Sequence, residues 1–272
     1  MAAHLIVCAT ASRMRLVSPE AYAKSVVASV QEYSLLAGRA LGDIFSKPRY
    51  IADTFTQMDS IGVGSLPIVV LTGFFTGCVL ALQAAVSLKE FGAVNMTGRL
   101  VALSMVKELG PVLTGLMVSG RNASGMASEL GSMKVSEQID AMRALGTDPI
   151  RKLVTPRIMA TVFMLFFLTI ISDAMGTAGG ALIAVFLLHL NGPAFFHTAY
   201  MSLVYGDVVE GLTKPLFSGF IIATIGCYYG LTTTGGTRGV GRATTQAVVV
   251  SSVLIILCDF LVTQLMIGIF GR

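Results

Sequence analysis

Long runs of sequence without a charge constrain this chain more than any other feature. Residues 66–88 and 215–237 hold none, 158–188 are broken only by Asp173, and 243–271 only by Asp259. A fifth run, 100–120, is interrupted only by the adjacent pair Lys107 and Glu108. A helix needs about 20 apolar residues to cross a bilayer. Each run meets that length, and together they leave no room for a large soluble domain. Only 12% of residues are charged, about half the share of an ordinary soluble domain. The expected fold is an all-α polytopic membrane protein with spans near 66–88, 98–120, 158–188, 214–234 and 245–270.

The placement of Lys and Arg predicts orientation. Residues 1–65 carry six, 121–157 carry six more, and the loop near 233–244 carries Arg238 and Arg242. Five crossings put all three segments on one side. The opposite loops then hold Lys89, Arg99, Lys214 and the terminal Arg272. This reading places the N-terminus in the cytosol and the C-terminus outside. The apolar stretch at the N-terminus is too short for a signal peptide. Cys8, Cys78, Cys227 and Cys258 have neither disulfide nor metal-ligand spacing.

Residues 1–60 read as an N-terminal amphipathic segment and 61–272 as the membrane domain. Ser18-Pro19-Glu20 is a helix start, with Ser as cap and Pro in the first turn. Tyr22, Val26, Val30, Tyr33, Ala37, Leu41 and Ile44 recur at helical spacing. This helix is too polar to span. It lies in the membrane interface or packs on a partner. Lys47-Pro48 ends it, and a second short helix leads to Gly62-Val63-Gly64. In the first span Gly73, Gly77, Ala81 and Ala85 stand four apart. That spacing permits close backbone approach, within the bundle or between protomers.

The longest polar stretch, 121–157, places Met126, Leu130, Met133, Ile139, Met142 and Leu145 on one apolar face. It predicts one or two short amphipathic helices lying across the inner face, with Gly146 as a stop and Asp148-Pro149 as a turn. The Gly/Thr-rich loop 232–245 lacks the phosphate-loop pattern GxxxxGK[ST]. His4, His189 and His197 have no ligand spacing, and no hydrolase motif is present.

A charge inside the membrane costs roughly 2.5–3.5 kcal/mol on insertion scales, so Lys107 and Glu108 need a reason to be there. Helical neighbours point about 100° apart and do not pair with each other. Ser104, Glu108, Pro111, Gly115, Ser119 and Asn122 share one face, which should meet a cavity or another helix rather than lipid tails. Gly110-Pro111 removes a backbone hydrogen bond and should bend the helix. The pair either lines a polar substrate path or locks the bundle through an ion pair to another span. Asp173 and Asp259 are either proton sites or buried partners for Lys107.

Several polar segments carry a resemblance: 103-LSMVKELGPVLTGLMVSGRNASGMASELGSMKVSEQIDAMRALGTDPIRKLVTPR-157 and 242-RATTQAVVVSS-252. They resemble the MlaE (YrbE) permeases, membrane subunits of MCE-associated lipid ABC transporters, over most of the chain from about Lys47. The resemblance implies a homodimer in the bacterial inner membrane. It also implies a cytosolic ABC ATPase dimer, a periplasmic-facing MCE-domain hexamer and, in some systems, a STAS-domain protein. The implied substrate is phospholipid or a related lipid, moved between the inner and outer membranes. No cofactor is implied for this chain, since ATP and Mg would sit on the partner ATPase, and no nucleic acid is expected. The 121–157 loop has the placement of a coupling segment, with Glu129, Met133, Glu137, Gln138, Asp140, Arg143 and Asp148 as candidate contacts. The family's basic–acidic pair falls on Lys107 and Glu108, with Lys where Arg is common. Lys keeps the charge but loses the bidentate fork. The rival reading is a proton- or ion-coupled secondary transporter using Glu108, Asp173 and Asp259.

Overall fold

Among the residues that a computed structural model of the chain describes, 19–43 and 50–270, all regular structure is helical. In chain order the helices are α1 (Pro19–Asp43), α2 (Ile51–Lys89), α3 (Val94–Val135) and α4 (Gln138–Ala144). They continue with α5 (Ile150–Phe186), α6 (Gly192–Ser202), α7 (Tyr205–Leu231) and α8 (Gly236–Phe270). Five of them, α2, α3, α5, α7 and α8, are long and apolar enough to cross a membrane. The protein is an all-α polytopic membrane protein.

The helices exceed the apolar runs that announce them. No separate short helix precedes the first span: α2 is one helix of 39 residues with Pro67 inside it. At 1.5 Å per residue it is about 58 Å long, roughly twice the hydrocarbon thickness. α3 likewise continues to Val135. Residues 121–135 therefore do not form a separate helix lying across the inner face. Met126, Ala127, Leu130 and Gly131 are buried, and the Cα side of Gly226 and Gly230 on α7 meets Ala123, Met126, Ala127 and Leu130. Only α4 is a free-standing short helix in this region. Gly146, with φ 76°, closes it: its N–H donates to Arg143 O at 3.0 Å and the Thr147 N–H donates to Met142 O at 3.0 Å. This paired closure is a Schellman motif. Asp148 Oδ1 accepts the Ile150 N–H at 2.9 Å and starts the next helix.

The small-residue stripe of α2 is used inside the bundle. Side chains at Gly73 and Gly77 would collide with the α5 backbone at Ser172 and Gly176, and one at Gly179 with Phe74. Glycine on both helices lets α2 and α5 pack backbone to backbone, as membrane helices do where apolar burial offers little drive.

The N-terminal α1 packs on its own chain. Leu36, Ala37 and Ala40 are buried. Tyr33 shares a 2.9 Å hydrogen bond with Thr224 Oγ1, and Arg151 Nη2 meets Asp43 Oδ1 at 2.9 Å. Burial raises the Tyr33 phenol above its ordinary pKa, against the Thr224 hydrogen bond. Leu41, expected on the apolar stripe, faces outward with Val30. The Ser18 cap, Ile44 and the Lys47-Pro48 stop lie outside the described residues. Helix α6, between α5 and α7, was not expected from the sequence.

Candidate functional site

The site begins with a proline. In a regular helix the Lys107 carbonyl would accept the N–H of residue 111, but Pro111 has none. The chain responds in two ways. Met105–Leu109 widens into a π turn, in which the Gly110 N–H reaches Met105 O. The ammonium of Lys214, arriving from α7, donates to Lys107 O at 2.8 Å. A proline in α3 thus leaves a backbone acceptor for a cation on another helix.

Lys214 gathers the rest of the network. Its Nζ lies 2.7 Å from Glu108 Oε2, 3.1 Å from Asp259 Oδ1 and 3.8 Å from Glu210 Oε1. Lys107 Nζ points the other way, to Asp207 Oδ1 at 3.1 Å and Glu210 Oε2 at 3.3 Å. Thr263 Oγ1 on α8 donates to Glu108 Oε1 at 3.5 Å. Six charges from three helices, α3, α7 and α8, are therefore joined.

Lys214 is almost fully enclosed, with 2% of its side chain exposed, whereas Glu108 keeps 42% exposed. A buried charge survives only if paired, so the lysine is the anchor of the network. Glu108 is its most open carboxylate.

Two expectations are corrected here. Lys214 is not a loop residue but a buried member of α7. Asp173 and Asp259 are not partners of Lys107, whose ammonium is taken by Asp207 and Glu210. Asp259 pairs with Lys214 instead. Asp173 stands apart on α5, where its carboxylate fills the space that a side chain at Gly110 would need and Oδ1 has no hydrogen-bond partner. Asp207, Glu210, Lys214 and Thr263 were not singled out from the sequence. The signal was present in 207-DVVEGLTK-214, whose spacings of three and four put the three charges on one helical face.

The rest of the α3 polar face seals helix contacts. Ser104 is half-buried one turn before Glu108, and Pro111 and Gly115 are buried. Gly115 sits beside Ile255 and Ser218. Ser119 and Ser251 hydroxyls share a 2.7 Å hydrogen bond. Asn122 and Arg121 both donate to Ser65 Oγ, at 3.5 and 3.1 Å.

The coupling candidates divide at the basic end. Three are tied up by their own chain: Glu129 pairs with the buried Arg157 at 2.8 Å, Asp140 with Lys134 at 2.8 Å, and Asp148 caps the helix after it. Met133 packs against the core. Glu137, Gln138 and Arg143 are exposed, although Arg143 Nη1 also reaches Asp140 Oδ1 at 3.3 Å. Glu137 opens α4 with φ 60°, and Ile139, fully buried, pins that helix to the bundle. The Lys134 hydrogen bond holds the Asp140 carboxyl below the usual carboxylate range.

A second concavity, of about 980 Å³, opens between α1, α2, α5 and α7. Phe55, Met58, Phe163 and Phe217 line it, with Leu41 and Thr54 at α1 and α2, and among the described residues no titratable side chain lines it.

Comparison with known proteins agrees with this architecture. The family model described as Permease MlaE matches residues 54–265. A probable ABC transporter permease protein of Rickettsia typhi is 42% identical over 88% of this chain and 92% of its own length. The intermembrane phospholipid transport system permease protein MlaE of Haemophilus influenzae is 36% identical over 78% of this chain and 82% of its own. The chloroplastic protein TRIGALACTOSYLDIACYLGLYCEROL 1 of Arabidopsis thaliana is 37% identical over 85% of this chain and 66% of its own. With the matched region holding the ion network, α4 and all but the outer ends of the five long helices, this chain belongs to the MlaE permease family.

Proposed function

We propose that this permease is the membrane subunit of an ABC transporter that moves phospholipid or a related lipid between the inner and outer membranes. The observation that carries the reading is the joined set of charges on α3, α7 and α8, open to its surroundings at Glu108. A bundle that needed only to be locked would close such a network off. An open carboxylate backed by a buried lysine gives a polar foothold inside an apolar protein, which an amphiphile requires. The name of the Haemophilus influenzae relative, which specifies phospholipid transport, supports the same substrate class.

The reading places the chain as a homodimer in a bacterial inner membrane, with the basic end and N-terminus in the cytosol and the C-terminus in the periplasm. A cytosolic ATPase dimer binds ATP and Mg and pushes on α4, where Glu137, Gln138 and Arg143 are exposed. An MCE-domain hexamer, with a STAS-domain protein in some systems, completes the assembly. Because α4 is pinned through Ile139 and joined to α3 by Lys134–Asp140, a push there reaches the long helices directly. The test is ATPase activity of the complex purified on this chain, with the natural residue and with Glu137→Arg. A co-purifying ATPase that the substitution releases or uncouples is expected. Absence of any ATPase from a mild-detergent preparation would sink the reading.

A further inference from the structure

The network is not balanced. Four carboxylates, of Asp207, Glu210, Glu108 and Asp259, surround two ammonium groups, of Lys107 and Lys214. No other cation lies within ion-pair distance of these carboxylates among the described residues. Lys107 faces two carboxylates, and Lys214 faces three carboxylates and a main-chain oxygen.

The shortage also shows atom by atom. Glu210 is 5% exposed, yet its Oε1 has no hydrogen-bond donor, and neither has Asp259 Oδ1, which meets Lys214 only as an ion pair. Both oxygens are sealed from outside, so the unmet negative charge is offset only by a further cation at the open members of the network.

The excess has a direction. The lysine is enclosed, while Glu108 and, to a lesser extent, Asp259 are the accessible members, with 42% and 17% of their side chains exposed. An incoming molecule meets carboxylate first. A bare phosphate would be repelled there and a cation drawn in. Beside these acids the α8 surface is apolar: Ile256, Phe260 and Leu261 flank Asp259 and are more than half exposed. Cation-seeking oxygens next to open apolar surface match an amphiphile with a positively charged head.

We infer that the Glu108–Asp259 face of the network is a headgroup site for the ammonium of an amine-bearing phospholipid. This deepens the lipid-transport reading and rests on it. The headgroup N–H groups would donate to Glu108 and Asp259, supplying the missing positive charge, while the acyl chains lie along α8.

The test uses the full-length chain in nanodiscs made from equal parts phosphatidylethanolamine and phosphatidylglycerol with identical acyl chains. Retained lipid is counted by native mass spectrometry. A charge-assisted hydrogen bond predicts enrichment of phosphatidylethanolamine over phosphatidylglycerol by about tenfold. Glu108→Gln should bring the ratio back toward that of the bilayer. Asp259→Asn, which leaves the Glu108–Lys214 pair in place, should lower it by a smaller factor and serves if Glu108→Gln does not fold. Glycerophosphoethanolamine, which has the ammonium but no chains, should compete weakly. Equal retention of the two lipids overturns the ammonium assignment alone and leaves lipid transport standing. Retention of neither removes the lipid reading and this site with it. Effective competition by the chainless compound reassigns the site to a soluble amine and overturns the headgroup proposal.

Discussion

The molecule has two clusters of ion pairs with nearly the same distances and opposite surroundings. Around Lys214, pairs at 2.7–3.1 Å are sunk between α3, α7 and α8. Around Asp140, pairs with Lys134 and Arg143 at 2.8 and 3.3 Å lie on the surface at the basic end. Geometry alone would rank them equal. The dielectric around them does not, because an enclosed charge deprived of its partner has no water to turn to, whereas an exposed one does. The first cluster therefore holds helices in place, and the second sets a local shape that a binding partner is free to use.

Breaking the buried cluster at its centre should have the largest effect. Lys214→Met strands Glu108 and Asp259 and frees Lys107 O. It is expected to cost about 3–5 kcal/mol, measured as a drop in thermal unfolding temperature in detergent. Glu108→Gln should cost less, about 1–2 kcal/mol after allowing for its exposure, because Lys214 keeps Asp259 and the carbonyl. If the two substitutions destabilise equally, the network has no centre at Lys214.

Two predictions concern the exposed cluster. Glu137→Arg should leave unfolding temperature unchanged within error and act only on the ATPase activity of the proposed complex. Asp140→Asn should have the smallest effect, and its pH dependence has a definite sign. The Asp140 carboxyl is held below its ordinary pKa by Lys134, so whatever stability it adds is present above about pH 3.9 and fades as pH falls through the folded-state value. A titration of α4 docking that weakened with rising pH would contradict that assignment.

What could be read in advance follows the same division. The five long helices were legible because the cost of burying charge leaves long uncharged runs, and Lys107 and Glu108 stood out because they violate that rule. The partners of Lys107 were not legible from the runs, because Asp207 and Glu210 sit in the first two turns of a helix, where charges ordinarily face water. Counting Lys214 as a loop cation followed the positive-inside logic and missed the i, i+3 and i, i+4 spacing behind it. The extent of α3 was hidden for another reason. Arg121, Glu129 and Lys134 make 121–135 look like a surface segment, yet Met126 and Leu130 carry that stretch between α7 and α8. The resemblance supplied a functional expectation that periodicity could not, since it rested on polar residues rather than on hydrophobicity.

The π turns of α3 have one more consequence. Each contains a residue beyond what an α-helical turn requires, and α3 has two, Met105–Leu109 and Ser119–Ala123. They divide the helix into three segments, each rotated independently of its neighbours about the common axis. Deleting Val106 from the first turn would rotate everything after it by about 100°. Ser119 would swing away from Ser251 and Asn122 from Ser65, while Val101 before the turn would stay packed. The angular setting of the charged centre and that of the basic end are thus separate variables along one rod. A chain built this way can alter how its two ends face their neighbours by gaining or losing one residue, with no change to either set of contacting side chains.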